Sequence, residues 1–115
     1  MITLYTDGGC FPNPGGDGGW GCVVLRNGIK TREYSGRIEA PTTNNRAELL
    51  AIINGLLAIG PTKERIMLIS DSQWALKCAS WHWDRKTNMD LWREFEKVSK
   101  GMKIVYRWVK GHSGN

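Results

Sequence analysis

The chain has 115 residues, 41% of them hydrophobic and 23% charged, and a formal net charge of +5. This describes one soluble globular domain over residues 1–115 with room for a single core. It excludes a membrane partner reached through a spanning helix, since no apolar run approaches the roughly 20 residues required, and the N-terminus lacks a basic-then-apolar leader pattern.

Three cysteines, Cys10, Cys22 and Cys78, are odd in number and have no metal spacing, which points to a reduced, cytoplasmic compartment. The charge is uneven. Residues 1–76 hold seven basic and seven acidic side chains, whereas residues 77–115 hold nine basic against four acidic and carry the whole excess. Such asymmetry fits a polyanion partner, nucleic acid ahead of membrane, or a solvated basic surface.

Ile2 to Thr6 mixes apolar and β-branched residues and reads as a strand. Asp7 to Gly19 is dense in Gly, Pro and Asn and reads as a loop. Clustered glycine lets backbone approach a ligand or simply makes a connection; the run lacks the spacing and following helix of a nucleotide-phosphate loop. Trp20 to Arg26 is a second strand, and Asn27-Gly28 turns it into a third, more polar edge strand, Ile29 to Arg37. Thr42-Thr43-Asn44-Asn45 opens a helix with Leu49, Ile52, Ile53, Leu56 and Leu57 at helical spacing, stopped by Gly60-Pro61. Ile66 to Ile69 is apolar throughout, as in a central strand buried on both faces. Asp71-Ser72 can cap a helix from Gln73 to about Ala79. Ser80 to Asn88 is a Trp-rich linker or short turn. Asp90 to Lys100 reads as a helix with Leu91, Phe95 and Val98 on one face, stopped by Gly101. Lys103 to Val109 alternates as a last strand, and residues 110–115 form a loop.

The pattern is an α/β fold: a mixed five-stranded sheet of three antiparallel strands followed by right-handed parallel crossovers, with helices packed on it. In open α/β sheets ligands gather at the carboxyl ends of strands, where Asp7 and Asp71 both lie. Glu48 sits one turn before Ile52 beside the apolar stripe, and a carboxylate buried there needs a partner. Three converging carboxylates repel one another unless a cation holds them. Each also has a local alternative: Glu48 in a capping box with Asn45, Asp71 as an N-cap, Asp7 as a turn residue.

Several motifs occur in order along nearly the whole chain. They are Tyr5-Thr6-Asp7-Gly8 with Asn13-Pro14-Gly15, Thr42-Thr43-Asn44-Asn45-Arg46-Ala47-Glu48-Leu49, Ser70-Asp71-Ser72-Gln73, Asp90-Leu91-Trp92, and Trp108-Val109-Lys110-Gly111-His112. With them the chain resembles type 1 ribonuclease H. The resemblance implies a metal-dependent endonuclease that hydrolyses the RNA strand of an RNA/DNA hybrid, leaving 5′-phosphate and 3′-hydroxyl ends. It implies two Mg²⁺ ions at Asp7, Glu48 and Asp71, with Mn²⁺ as substitute, and a proton-transfer or product-release role for His112. It also implies substrate contacts from Asn13, Asn44, Asn45 and Gln73. Hard carboxylate oxygens suit Mg²⁺, and side-chain amides, which both donate and accept, suit 2′-hydroxyls and minor-groove base edges. The local alternatives are helix capping for Asn44 and Asn45 and a solvent-exposed loop position for His112. His82 matches no motif and is assigned no role.

Two departures from the family pattern shape the expectations. Some bacterial members carry a long basic protrusion where this chain has only Ser80 to Asn88, which implies either a weaker hybrid affinity or one that rests on Arg85, Lys86 and Trp81 or Trp83. The family's fourth carboxylate, on a final helix about ten residues past the histidine, has no counterpart, so the expected fold lacks that helix and the expected enzyme is weak in Mg²⁺ and helped by Mn²⁺. Two other readings remain open at this point. One is a catalytically silent hybrid-binding module. The other is a fragment completed by another chain, as a homodimer or by strand or helix exchange.

Overall fold

In the computed structural model, which describes residues 1–111, three antiparallel strands come first: β1 (Ile2–Phe11), β2 (Asp17–Arg26) and β3 (Ile29–Ile38). Helix α1 (Asn44–Ile59) crosses to β4 (Arg65–Ser70), parallel to β1. Helices α2 (Gln73–Ala79) and α3 (Met89–Ser99) lead to β5 (Lys103–Trp108), parallel to β4. The strand order is β3-β2-β1-β4-β5. The mixed five-stranded α/β sheet is therefore as expected, with three helices among the described residues. No described helix is long and apolar enough to cross a membrane.

The glycine-rich run departs from the loop expected of it. β1 continues through Asp7 to Phe11 and β2 begins at Asp17, with Gly9 opposite Gly19 and Cys10 opposite Gly18, so only residues 12–16 turn. Turn chemistry favours a loop for such residues, but a completed ladder of backbone hydrogen bonds outweighs it here. The absent side chains have a use. A Cβ on Gly8 would collide with the Ala47 carbonyl and stand 2.7 Å from the Glu48 nitrogen, so strand and helix backbones pack directly at that point.

Helix α1 starts where its side chains satisfy the orphan amides. Thr43, not Asn44 or Asn45, is the N-cap: its Oγ1 accepts the Arg46 N–H at 3.1 Å. Gly60, at φ 76°, ends the helix and donates its N–H to the Leu56 carbonyl at 3.0 Å. Leu49, Ile52, Ile53 and Leu56 are buried with Ile2, Leu4, Val24, Ile66 and Leu68 of the sheet in one core. Leu57, expected with that set, is 58% exposed; at 100° per residue it falls just past the edge of the buried arc. Helix α3 closes the far side of the core with Leu91 and Phe95, as expected, and with Trp92, which stands edge-to-face on Phe95 at 5.5 Å.

The Ser80 to Asn88 segment is not a free basic arm. The Arg85 side chain is only 3% exposed. It donates to the Cys78 and Ala79 carbonyls at 2.9 and 3.1 Å and to Glu96 Oε1 at 3.1 Å. Its guanidinium lies 3.7 Å over the Trp81 ring, with Trp92 and Phe95 at 4.5 and 5.5 Å. Arg85 thus satisfies the last carbonyls of α2 and pins them to α3. The expectation that it contacts a hybrid is corrected on this point, while Trp81, Trp83 and Lys86 remain exposed. Replacing Arg85 by Ala strands two carbonyls and empties an aromatic-lined slot, so chemical denaturation should show a loss of about 2–4 kcal/mol. A loss under about 0.5 kcal/mol, the usual scale for an unengaged surface residue, would contradict this assignment.

Candidate active site

The parallel pairing of β1 and β4 brings two of the carboxylates together. The last paired rung is Tyr5 with Ile69, and Asp7, within β1, and Asp71, just past the end of β4, each lie two residues beyond it. Helix α1 supplies the third, because the Gly8 contact sets its first turns against this sheet end. Ligand oxygens of Asp7, Glu48 and Asp71 lie within 4.8 Å of one another. Asp7 is exposed, Asp71 half-buried and Glu48 buried. A cavity of about 400 Å³ is lined by two of them, Asp7 and Asp71, and also by Tyr5, Tyr34 and Lys110.

Glu48 does not close a capping box. Its Oε1 accepts the Gly8 N–H at 2.7 Å, and its Oε2 accepts the Ser70 hydroxyl at 3.3 Å. Ser70 in turn accepts the Ser72 N–H at 3.0 Å, and Ser72, not Asp71, caps α2 through the Ala75 N–H. The local alternatives for Glu48 and Asp71 are thereby removed, and Asp7 lies within β1 rather than in a turn. Burial pushes the Glu48 carboxyl up to about 8, and the Asp71 and Asp7 charges add to the push, while the Gly8 and Ser70 hydrogen bonds oppose it.

Around this centre the expected substrate contacts divide. The Asn13 side-chain oxygen accepts the Asn44 N–H at 3.0 Å, and the Asn44 side-chain oxygen accepts the Cys10 N–H at 2.8 Å. Two backbone bonds, Gly15 N–H to the Thr42 carbonyl and Thr42 N–H to the Gly16 carbonyl, lock the same turn onto the start of α1. Asn45 and Gln73 are exposed on the first turns of α1 and α2. His112 lies outside the described residues. Arg46, which motif reading left without a role, clamps Asp90 through both guanidinium arms at 3.0 and 2.9 Å and also reaches Asn88. That pairing holds the Asp90 carboxyl down at about 2 and commits it to joining α1 and α3. Ser70 was also passed over, although it stands within the Ser70-Asp71-Ser72 motif; its hydroxyl acquires meaning only once Glu48 is beside it.

The donor set suits a hard divalent cation. Three carboxylates offer oxygen ligands only, and the repulsion that Asp7 and Asp71 exert on Glu48 is relieved by positive charge among them. The sign of the pH effect follows. Glu48 binds a proton more tightly when folded than its ordinary value of 4.5 allows when unfolded, so metal-free stability falls as pH rises from 4.5 toward about 8. In chelator, the melting temperature should drop by several degrees across that window. Glu48→Gln, which keeps the Gly8 bond without the charge, should flatten the drop, and saturating Mg²⁺ should restore the wild-type protein at the upper end. A melting temperature in chelator that does not fall would refute the repulsion.

A model of the RNase H family matches residues 1–115. Ribonuclease H of Pseudomonas putida (strain W619) is 36% identical over 127 residues, covering 99% of this chain and 83% of that protein. Ribonuclease H of Maricaulis maris (strain MCS10) is 38% identical with the same coverage. Among solved structures, LC11-RNase H1 in complex with an RNA/DNA hybrid superposes with a TM-score of 0.83 at 23% identity, over 94% of this chain and 86% of that one, a likeness of fold. With the sheet order, the carboxylate triad and these matches in agreement, the chain belongs to the RNase H family.

Proposed function

We propose that Asp7, Glu48 and Asp71 hold two Mg²⁺ ions, with Mn²⁺ able to replace them, and that this site hydrolyses the RNA strand of RNA/DNA hybrids. The observation that carries the reading is the convergence of the three carboxylates at the strand ends in a chain of this divalent-metal-dependent family. When bound, such ions activate a water and stabilise charge on the departing 3′-oxygen, leaving 5′-phosphate and 3′-hydroxyl ends.

The chain's own residues supply placement. Glu48 is held at both oxygens, so one carboxylate of the triad is oriented before substrate arrives. Asn13 and Asn44 are bonded to each other and to Cys10, which ties the β1–β2 turn to the start of α1. Asn45 and Gln73 flank it and, with these amides, read 2′-hydroxyls and minor-groove edges rather than a base sequence. His112 follows Gly111, whose backbone lies against the Asp71 carboxylate; it assists proton transfer or product release. LC11-RNase H1, which shares the fold, was solved on a hybrid, and the same substrate class is assigned here.

The test is a cleavage assay on matched hybrid, RNA duplex and DNA duplex, with Mg²⁺ and with Mn²⁺. Cleavage of the RNA strand in the hybrid alone is expected. Asp71→Asn should cost about 10³-fold in turnover while hybrid binding persists, since the lost oxygen serves charge stabilisation and not substrate affinity. Normal turnover in that variant would overturn the site.

Electrostatic contacts should be carried by exposed lysines. Lys86→Ala is expected to reduce the slope of log affinity against log salt by about 0.9 if its phosphate lies on a duplex, and Arg85→Ala to leave the slope unchanged. A lower slope in the Arg85 variant, at conditions where it is folded, would contradict the buried role given to that residue.

A further inference from the structure

The Trp108-Val109-Lys110-Gly111-His112 run contains a tryptophan to which nothing above gives a task. Trp108 ends β5 and is 48% exposed, so core packing does not account for it. Its indole Nε1–H donates to the main-chain carbonyl of Asp71 at 2.9 Å. That carbonyl lies past the last β4–β5 rung, Ser70 opposite Trp108, and before α2, whose N-cap is Ser72. Two neighbouring contacts act on the same stretch. Val109 donates its N–H to the Ser70 carbonyl at 3.0 Å, and a Cβ on Gly111 would stand 3.2 Å from Asp71 Oδ2.

We propose that Trp108 is a positioning residue for Asp71. The peptide group after Asp71 is planar, so a bond to its carbonyl fixes that plane and, with Ser70 already held by Val109, fixes the direction of the Asp71 Cα–Cβ bond. The carboxylate is thereby aimed at Glu48 and Asp7 through a bond to its own residue's main chain, and β5 takes part in the site through a strand end. The proposal rests on the reading of Asp71 as a metal ligand.

Trp108→Phe keeps the ring and removes the donor. Calorimetric titration of the hybrid-free protein with Mg²⁺ should show affinity weakened about tenfold, the scale on which outer-shell partners act. Turnover should fall by a similar factor while KM for hybrid stays within about twofold, a split that a merely structural role does not produce. A second readout needs no variant: the Trp108 indole N–H resonance of the wild-type protein should shift as Mg²⁺ saturates. Wild-type Mg²⁺ affinity and turnover in Trp108→Phe, or an indole resonance unmoved at saturation, would overturn the proposal alone. Wild-type protein that neither binds Mg²⁺ nor cuts would overturn the site reading and this proposal with it.

Discussion

The hydrogen bond from the Gly8 amide to Glu48, 2.7 Å long, is the contact on which the rest of the site depends. It joins the first strand to the first helix at a place where a side chain on the strand would collide with helix backbone. Glycine there permits the approach, and the approach delivers a carboxylate to two others. The cost is electrostatic. Glu48 is 7% exposed and shares its surroundings with Asp7 and Asp71, so its charged form is disfavoured by burial and by like charge together. The fold accepts this because a neutral Glu48 is tolerable in the absence of metal, and a cation makes the charged form tolerable in its presence.

The surrounding structure keeps that arrangement from relaxing. Ser70 joins the second oxygen of Glu48 to the start of α2, and Arg46 joins the start of α1 to the start of α3. The β1–β2 turn is bonded to α1 through both backbone and Asn13. Relief of repulsion by spreading the carboxylates would break several of these bonds at once. Preorganisation of this kind concentrates like-charge repulsion among the three carboxylates, which a bound cation relieves, so a binding site and a stability deficit come from the same residues.

Much of this was legible in the residues because it is local or periodic. Helical spacing marked Leu49 to Leu57 as a core face, too wide only at the exposed Leu57, a wholly apolar run marked β4, and strand ends located Asp7 and Asp71 at the edge where α/β sheets bind ligands. What escaped was decided by distant partners. Gly8 and Gly9 have turn chemistry, yet pairing with Gly19 and Trp20 makes them strand. Arg85 looks like a phosphate contact beside Lys86, yet three aromatic rings and two helix-end carbonyls enclose it. Asn44 and Asn45 are strong capping residues, yet Thr43, one position before Asn44, takes the cap, and the Asn44 side chain accepts the Cys10 N–H instead. None of these outcomes is encoded within a window of a few residues; each needs the element that packs against it.

The central claim is that three mutually repelling carboxylates, one of them buried and raised to about 8, form a divalent-cation site. The most direct measurement is the number of protons released when Mg²⁺ binds, read by titration calorimetry at pH 7 in buffers of different ionisation enthalpy. Cation binding requires the ionised carboxylate, so a Glu48 still largely protonated before metal arrives should give up close to one proton per site filled, and the release should fade at pH 9. Mg²⁺ binding with no proton released at pH 7, or release unaltered by Glu48→Gln, would contradict the account.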